Sequence, residues 1–402
     1  MTGTAVLLFT ADLRVHDNPA LAAVADAPVA PLYVDDPGRR TNPNRRRFTL
    51  DAVEDLRDSL RALGADLVVR RGDTVAQVMD VLAATGATGV VCADDVGRFE
   101  TDLRRRLAEA CRAASVSFTL THGPSVLDPG RVLPSGGGDH YKVFTPYWRA
   151  WSQARWREEA PEPARLRTPD LPRSDRLDAE PTAADLPRGG ERAALARLDE
   201  WDPDGYGTDR DDLAADRTSR LSAHLAAGCL SARSLAADPR VPEAAVRQLC
   251  WRDFHRQVLA AFPALVDTAY RRGAADEWDT APAALEAWRL AAPGSASWTR
   301  GCAGSPPKAG CTTAPASSAP DTSPARSAST GARAPSTSRA TSSTSTRRTT
   351  GATGSGRRGP AATPGRTAAS TTNARPPAST PTAPTAAAGA RRDRRPASSR
   401  PC

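Results

Sequence analysis

Ala5-Val-Leu-Leu-Phe-Thr-Ala-Asp-Leu-Arg-Val-His-Asp-Asn-Pro-Ala-Leu21 is the stretch on which the fold turns. Its first five residues are an apolar run of strand length. Asp17 or Asn18 can cap a following helix, with Pro19 in the first turn, where a missing N–H costs nothing. The same strand-then-helix unit recurs down the chain. Short apolar runs at Val29–Val34, Asp66–Val69, Gly89–Cys92 and Ser117–Leu120 read as buried strands. Between the strands, segments near 19–26, 47–63, 74–85 and 99–114 carry helical spacing, as in Leu50, Val53, Leu56 and Leu60. Parallel strands require crossover connections, so this alternation predicts an α/β domain with a doubly wound parallel sheet (Rossmann-like), covered on both faces. A strand and a cap do not account for Asp12, Arg14 and His16.

Working outward, 402 residues suffice for two domains with separate cores. The spacing and composition divide the chain into an α/β domain at 1–125, a Pro-, Gly- and charge-rich linker at 126–200, a helical part at 201–289, and a tail at 290–402. All eight tryptophans lie between Trp148 and Trp298. After residue 300 there is no Val, Leu, Ile, Phe, Tyr, Trp or Met, so the tail has nothing to bury and is expected to be disordered. The net charge of +8 is also misleading. From 301 onward there are 15 Lys+Arg against 2 Asp+Glu, which leaves the body with 39 basic and 44 acidic residues, a net of −5. Any affinity of the body for nucleic acid must come from a local patch.

The seven cysteines are scattered without CxxC or Cys/His spacing, which argues against a disulfide framework and against a metal site. The opening Met-Thr-Gly-Thr carries no basic leader pattern, and no stretch approaches the ~18–20 apolar residues of a membrane helix. A cytoplasmic monomer with no membrane partner is expected.

Two segments carry candidate chemistry. Thr218-Ser219-Arg220-Leu221-Ser222 opens a helical run, Ala223 to Cys229. A helix start offers unpaired N–H groups and partial positive charge, and Ser/Thr hydroxyls add donors, so the place suits a phosphate. It equally suits a plain Ser/Thr cap, and the residues alone leave both open. As a bare pattern, Gln248-Leu-Cys-Trp-Arg-Asp-Phe-His255 reads as an amphipathic helix with an aromatic core face. No Ser/His/Asp triad, carboxylate pair or metal cluster stands out.

Three stretches in order, Asp12-Leu-Arg-Val-His-Asp-Asn-Pro19, the run Phe48 to Asp73 with its Leu-Gly-Ala-Asp-Leu-Val-Val-Arg-Arg-Gly-Asp, and Tyr141-Lys-Val-Phe-Thr-Pro-Tyr147, resemble the class I DNA photolyases of the photolyase/cryptochrome family. The resemblance extends to about residue 289. It implies an antenna domain followed by an all-α FAD-binding domain, here incomplete. It assigns Tyr206, Thr218, Ser219, Arg220, Leu221, Ser222 and Arg252 to FAD, and Arg210, Gln248 and Trp251 to DNA. The implied reaction is blue-light-driven, FAD-dependent splitting of cyclobutane pyrimidine dimers in ultraviolet-damaged DNA, with Gln248 and Trp251 against the dimer. A second antenna chromophore of folate or deazaflavin type goes with the family, and Ala93-Asp-Asp-Val-Gly-Arg-Phe99 does not discriminate between them. The departure is Gln248, where the family has Glu. An amide still hydrogen-bonds a pyrimidine carbonyl but cannot carry charge or donate a carboxyl proton, which puts repair efficiency in doubt. Two other readings remain: a cryptochrome that binds FAD without repairing DNA, and a plain nucleotide-binding α/β protein with an unrelated helical extension.

The tail resembles nothing in the family as written. Read one frame over, taking the last base of each codon with the first two of the next, Gly301 to Ala316 is compatible with MRRLAAEGWMHNRAR, where the family has MRxLxxxGWMHNRxR. Gly351 to Gly356 is likewise compatible with Gly-Asn-Trp-Gln-Trp, another family signature. Two ordered matches point to a frame change near 289–290. A real Arg-rich tail binding phosphates is the alternative, and its dispersed arginines speak against it. Resequencing across the codons for Trp288 to Cys302 is expected to restore both signatures in frame. A confirmed gene with the same frame would remove this explanation.

Overall fold

The computed structural model describes residues 3–39, 41–178, 186–212, 217–271 and 273–274. All lie in the first of two units, Met1–Ser342. The end of the expected helical part, 275–289, and the expectations for 290–402, disorder and a shifted frame, fall outside the described residues.

The sheet is the predicted one, except that its last strand, at 117–121, is a largely exposed edge where a buried strand is expected. Five parallel strands, β1 (Ala5–Phe9), β2 (Val29–Asp35), β3 (Val68–Arg71), β4 (Gly89–Ala93) and β5 (Ser117–Thr121), stand in the order β3-β2-β1-β4-β5. The crossovers are α1 (Pro19–Val24), α2 (Pro43–Ala62), α3 (Thr74–Thr85) and α4 (Arg98–Ala113). Asn18, rather than Asp17, caps α1, its side chain accepting from the N–H groups of Ala20 and Leu21. Alternation along β1 sorts the two cores. Val6 and Leu8 face a layer with Val78, Val81, Leu103 and Leu107 of α3 and α4. Ala5, Leu7 and Phe9 face α1 and α2, in a core that runs on without a break into the helices that follow.

Those helices are α5 (Phe144–Gln153), α6 (Glu191–Glu200), α7 (Tyr206–Asp209), α8 (Ser222–Ala227), α9 (Ala232–Ala237) and α10 (Glu243–Ala261). Two of them arise within 126–200. α5 buries Phe144, Tyr147 and Trp151, with Trp151 at 0% exposure, so this part of the expected surface linker is core. The rest of the connection does run along the α/β domain and covers the β3 edge. Asp175 N–H donates to Val69 O at 2.8 Å, Ser174 Oγ accepts from Val69 N–H at 3.1 Å, and Val29 N–H donates to Arg167 O at 2.8 Å. Among the described residues no helix is long and apolar enough to cross a membrane.

The residues the sequence left unexplained join the two parts. In doubly wound sheets the crevice beyond the carboxyl ends of the strands opens where strand order reverses, here between β1 and β4. The loop leaving β1 is clamped there by the helical layer. Asp17, fully buried, accepts from both Nη groups of Arg157, from Ala160 N–H at 2.8 Å, and from the hydroxyls of Ser231 and Ser234. Arg14 donates to Gly228 O at 3.0 Å and to the carbonyls of His16 and Asp17. Glu191 at the start of α6 accepts from the N–H groups of Val15 and His16 at 2.8 and 2.9 Å. Asp12 stays within the loop, accepting from Thr10 N–H and the Asn18 amide. Gly228 ends α8 at φ +73°, and a Cβ there would stand 1.9 Å from Ala11 O, so no other residue permits this approach.

Burial pushes the Asp17 carboxyl up, but Arg157, Ser231 and the Ala160 N–H outweigh it and pull the group down to about 2. A carboxyl depressed in the fold stabilises above its unfolded value and loses that contribution as pH falls through the folded value. Asp17→Asn is therefore expected to cost about 3 kcal/mol at neutral pH, as for a broken buried pair. In denaturant unfolding the gap to the parent chain should narrow between roughly pH 4 and pH 2. A gap that stays constant with pH would contradict this.

Candidate functional site

The end of α6 gathers the residues expected at the cofactor. Arg197 donates from Nε to Ser219 O at 3.0 Å and from Nη2 to Thr218 O at 3.2 Å. One turn on, the Trp201 indole N–H donates to Arg217 O at 3.4 Å, and its ring meets Tyr206 edge-on at 5.4 Å. Tyr206 on α7 and the turn at 217–221 are thus both anchored to one helix end. Within the turn Arg220 adopts φ +54° and Leu221 is buried. This pins the backbone and leaves Thr218 and Ser219 half-buried and Ser222 exposed. α8 begins at Ser222, one residue earlier than the sequence suggests, and has no side-chain cap. Within the turn, Ser219 Oγ accepts from Leu221 N–H at 3.4 Å, so this hydroxyl shapes the approach to α8 rather than capping its first turn.

α10 carries the other candidates. Gln248 is exposed and Trp251 partly so. One face of Trp251 lies flat on Phe144 at 3.6 Å and 5°, and His255 stacks nearby at 5.6 Å. Arg252 donates to Pro124 O and, at 3.3 Å, to Leu225 O. Burial, with the neighbouring Arg256 charge next, lowers its guanidinium to about 10. Arg252 thus ties α10 to α8, and it joins the Tyr206–Ser222 group through α8 rather than through α6. Arg210 stands at the end of α7, its Nε buried with no hydrogen-bond partner among the described residues and 3.8 Å from the Asp211 carboxylate. α7 lies against the first part of α10, with Gly207 close to Ala244.

The buried side of α10 holds polar residues that the sequence reading passed over. Asp253 accepts at Oδ2 from the N–H groups of Val126 and Leu127 and from the Trp151 indole, each at 3.0 Å. Burial raises its pKa, against the pull of Arg252 and these donors. Arg256 pairs with Asp95 at 2.5 Å and donates to Ser125 Oγ at 2.8 Å. The Gln257 amide brackets the backbone of Tyr141, accepting its N–H and donating to its carbonyl, both at 2.8 Å. The usable signal was an Asp between apolar Cys250 and Phe254 on a core-facing helix, since a carboxylate there must have partners.

The DNA photolyase family model matches residues 5–165. A deoxyribodipyrimidine photo-lyase of Streptomyces griseus is 41% identical over 307 residues, covering 71% of this chain and 67% of the relative. A cryptochrome DASH of Natronomonas pharaonis is 34% identical, covering 71% and 68%. Among solved structures, a class III photolyase of Agrobacterium tumefaciens superposes with a TM-score of 0.69 at 26% identity, over 79% of this chain and 71% of its own. An archaeal photolyase of Sulfolobus tokodaii, solved with two FAD molecules, shares the fold with a TM-score of 0.68 at 22% identity. The chain belongs to the DNA photolyase family, within the wider photolyase/cryptochrome group. It spans about two thirds of the length of the curated relatives it matches.

Asp253→Ala leaves three buried donors without an acceptor and is expected to cost about 3 kcal/mol or more in denaturant unfolding. Asp253→Asn keeps an acceptor oxygen there and should lose much less. Equal losses for the two variants would contradict the bonding described.

Proposed function

We propose that this chain derives from a light-driven DNA repair lyase that splits cyclobutane pyrimidine dimers, with FAD as the working cofactor and ultraviolet-damaged DNA as the partner. The observation that carries the reading is the joint anchoring of Tyr206 and the Thr218–Ser222 turn to α6, beside a helix start with no side-chain cap. That arrangement fits the diphosphate of a flavin dinucleotide. The Arg197 bonds hold the turn in shape before any ligand arrives, and the Thr218, Ser219 and Ser222 hydroxyls are carried on it. Thr218, Ser219, Ser222 and the peptide at Arg220 and Leu221 would hold the diphosphate, with Tyr206 against the same cofactor. Arg252 would act by fixing α8 and α10 relative to each other. When bound, FAD supplies the light-driven electron that opens the dimer.

The exposed side of α10 suits the damaged bases. Gln248 would donate its amide to a pyrimidine carbonyl, Trp251 would offer an indole surface backed by Phe144, and Arg210 would meet the strand's phosphates. A dimer must leave the stack to reach this place, which costs least where pairing is already damaged. The proposed layout is an antenna domain at 1–125 that could hold a second chromophore of folate or deazaflavin type, a connection at 126–200 whose α5 packs into the core, and part of the FAD domain at 201–289. The second reading is a flavin photoreceptor without repair activity, favoured by the cryptochrome relatives and by the loss of a carboxyl at Gln248.

The purified 402-residue chain is expected to take up FAD far below one equivalent, because a third of the family length is not matched. With the frame restored beyond residue 289, uptake should approach one equivalent, and blue light should clear dimers from irradiated oligonucleotide. Full uptake without repair would select the photoreceptor. No uptake by the restored chain would end both readings.

A further inference from the structure

We infer that Arg247 is an additional DNA contact, gripping a phosphodiester beside the base held at Trp251; this rests on the reading of α10 as the DNA-facing helix. Arg247 directly precedes Gln248 and lies four residues before Trp251, so all three share the exposed side of α10. Its guanidinium sits over the Phe144 ring at 5.4 Å and the Trp148 ring at 5.6 Å. Phe144 is the ring stacked flat on Trp251. The cation is therefore fixed to the same aromatic support as the proposed base platform.

Charge balance separates Arg247 from most other arginines here. Arg14 is buried in backbone carbonyls, Arg157 and Arg256 are committed to Asp17 and Asp95, and Arg217 and Arg240 pair with exposed carboxylates. Arg247 is exposed, and its contacts among the described residues are the two rings, with no carboxylate at ion-pair distance. Aromatic faces leave all five N–H donors at the guanidinium edge free for a fork-shaped bond to phosphate oxygens. A purely structural lid on the rings would be served as well by an uncharged chain. A cation held flat at a nucleic-acid surface is served only by Lys or Arg, and the planar fork favours Arg. Arg210, on the helix that packs against the start of α10, lies toward the same end and could engage the same strand.

The test is salt-dependent binding of the full 402-residue chain to an ultraviolet-irradiated oligonucleotide and to its undamaged twin. Arg247→Ala and Arg247→Lys are measured beside the parent. The Arg-rich tail contributes equally to all three chains, so a difference in slope reads position 247 alone. For Arg247→Ala the log–log salt slope should become shallower by about 0.9, with binding roughly five- to tenfold weaker near 0.1 M salt. Arg247→Lys should keep the parent slope. A parent that prefers damaged DNA while Arg247→Ala retains its slope would overturn this inference and leave the functional reading intact. A parent with no preference for damaged DNA would overturn the reading of α10 as the DNA-facing helix, and the inference with it. Thermal unfolding of the Ala variant close to the parent's would separate a lost contact from a lost fold.

Discussion

A carboxylate with no exposure to water holds the two parts of this protein together. Asp17 sits where strand order reverses, and its oxygens are shared among Arg157, Ala160, Ser231 and Ser234, residues from the connection and from α9. Removing any partner leaves charge or hydrogen-bonding capacity stranded in a dry place, which costs several times more than an exposed ion pair contributes. Around this point Arg14 takes a carbonyl from the end of α8 and Glu191 takes two N–H groups from the β1 loop. These last contacts, of Arg14 and Glu191, use backbone on one side, so side-chain substitution there can remove only one partner. The crevice that many α/β proteins devote to a nucleotide is here largely taken up by an internal joint.

That joint explains how the candidate site is aimed. Glu191 begins α6 on the sheet, and ten residues later the same helix ends in Arg197 and Trp201, which fix the 217–221 turn and Tyr206. α10 is divided in the same way. Asp253, Arg256 and Gln257 face inward and hold the connection at 125–127 and 141, while Arg247, Gln248 and Trp251 stay on the open side. One helix therefore acts as a beam on one side and as a recognition surface on the other. The precision of the open side depends on the buried side being fully bonded.

The sheet was legible because alternating and continuous apolar runs have no other low-energy use in a chain of this composition. Strand limits moved by one residue at β2, β4 and β5, and β3 shifts from the expected Asp66–Val69 to Val68–Arg71, where it pairs with Leu32–Asp35 of β2. The Asn18 cap and Pro19 were legible for the same local reasons. α5 was obscured by its surroundings, although Phe144, Tyr147 and Trp151 stand at helical spacing. The roles of Asp17, Arg14 and Glu191 were not legible at all, since each acts across more than a hundred residues of chain and no local pattern encodes such a partner; for Asp253 the need for partners was legible, their identity was not. The motif at 218–222 could be located but not interpreted alone. A cap and a phosphate cradle look the same in sequence, and only the Arg197 bonds and the uncapped start of α8 favour the second.

The account rests on that turn meeting a diphosphate, and amide hydrogen exchange on the frame-restored chain reads it directly. Adding FAD should slow exchange in the peptide covering 217–227 by more than in the sheet, and adding riboflavin, which lacks the diphosphate, should not. FAD bound to saturation with exchange across 217–227 unchanged would contradict the account.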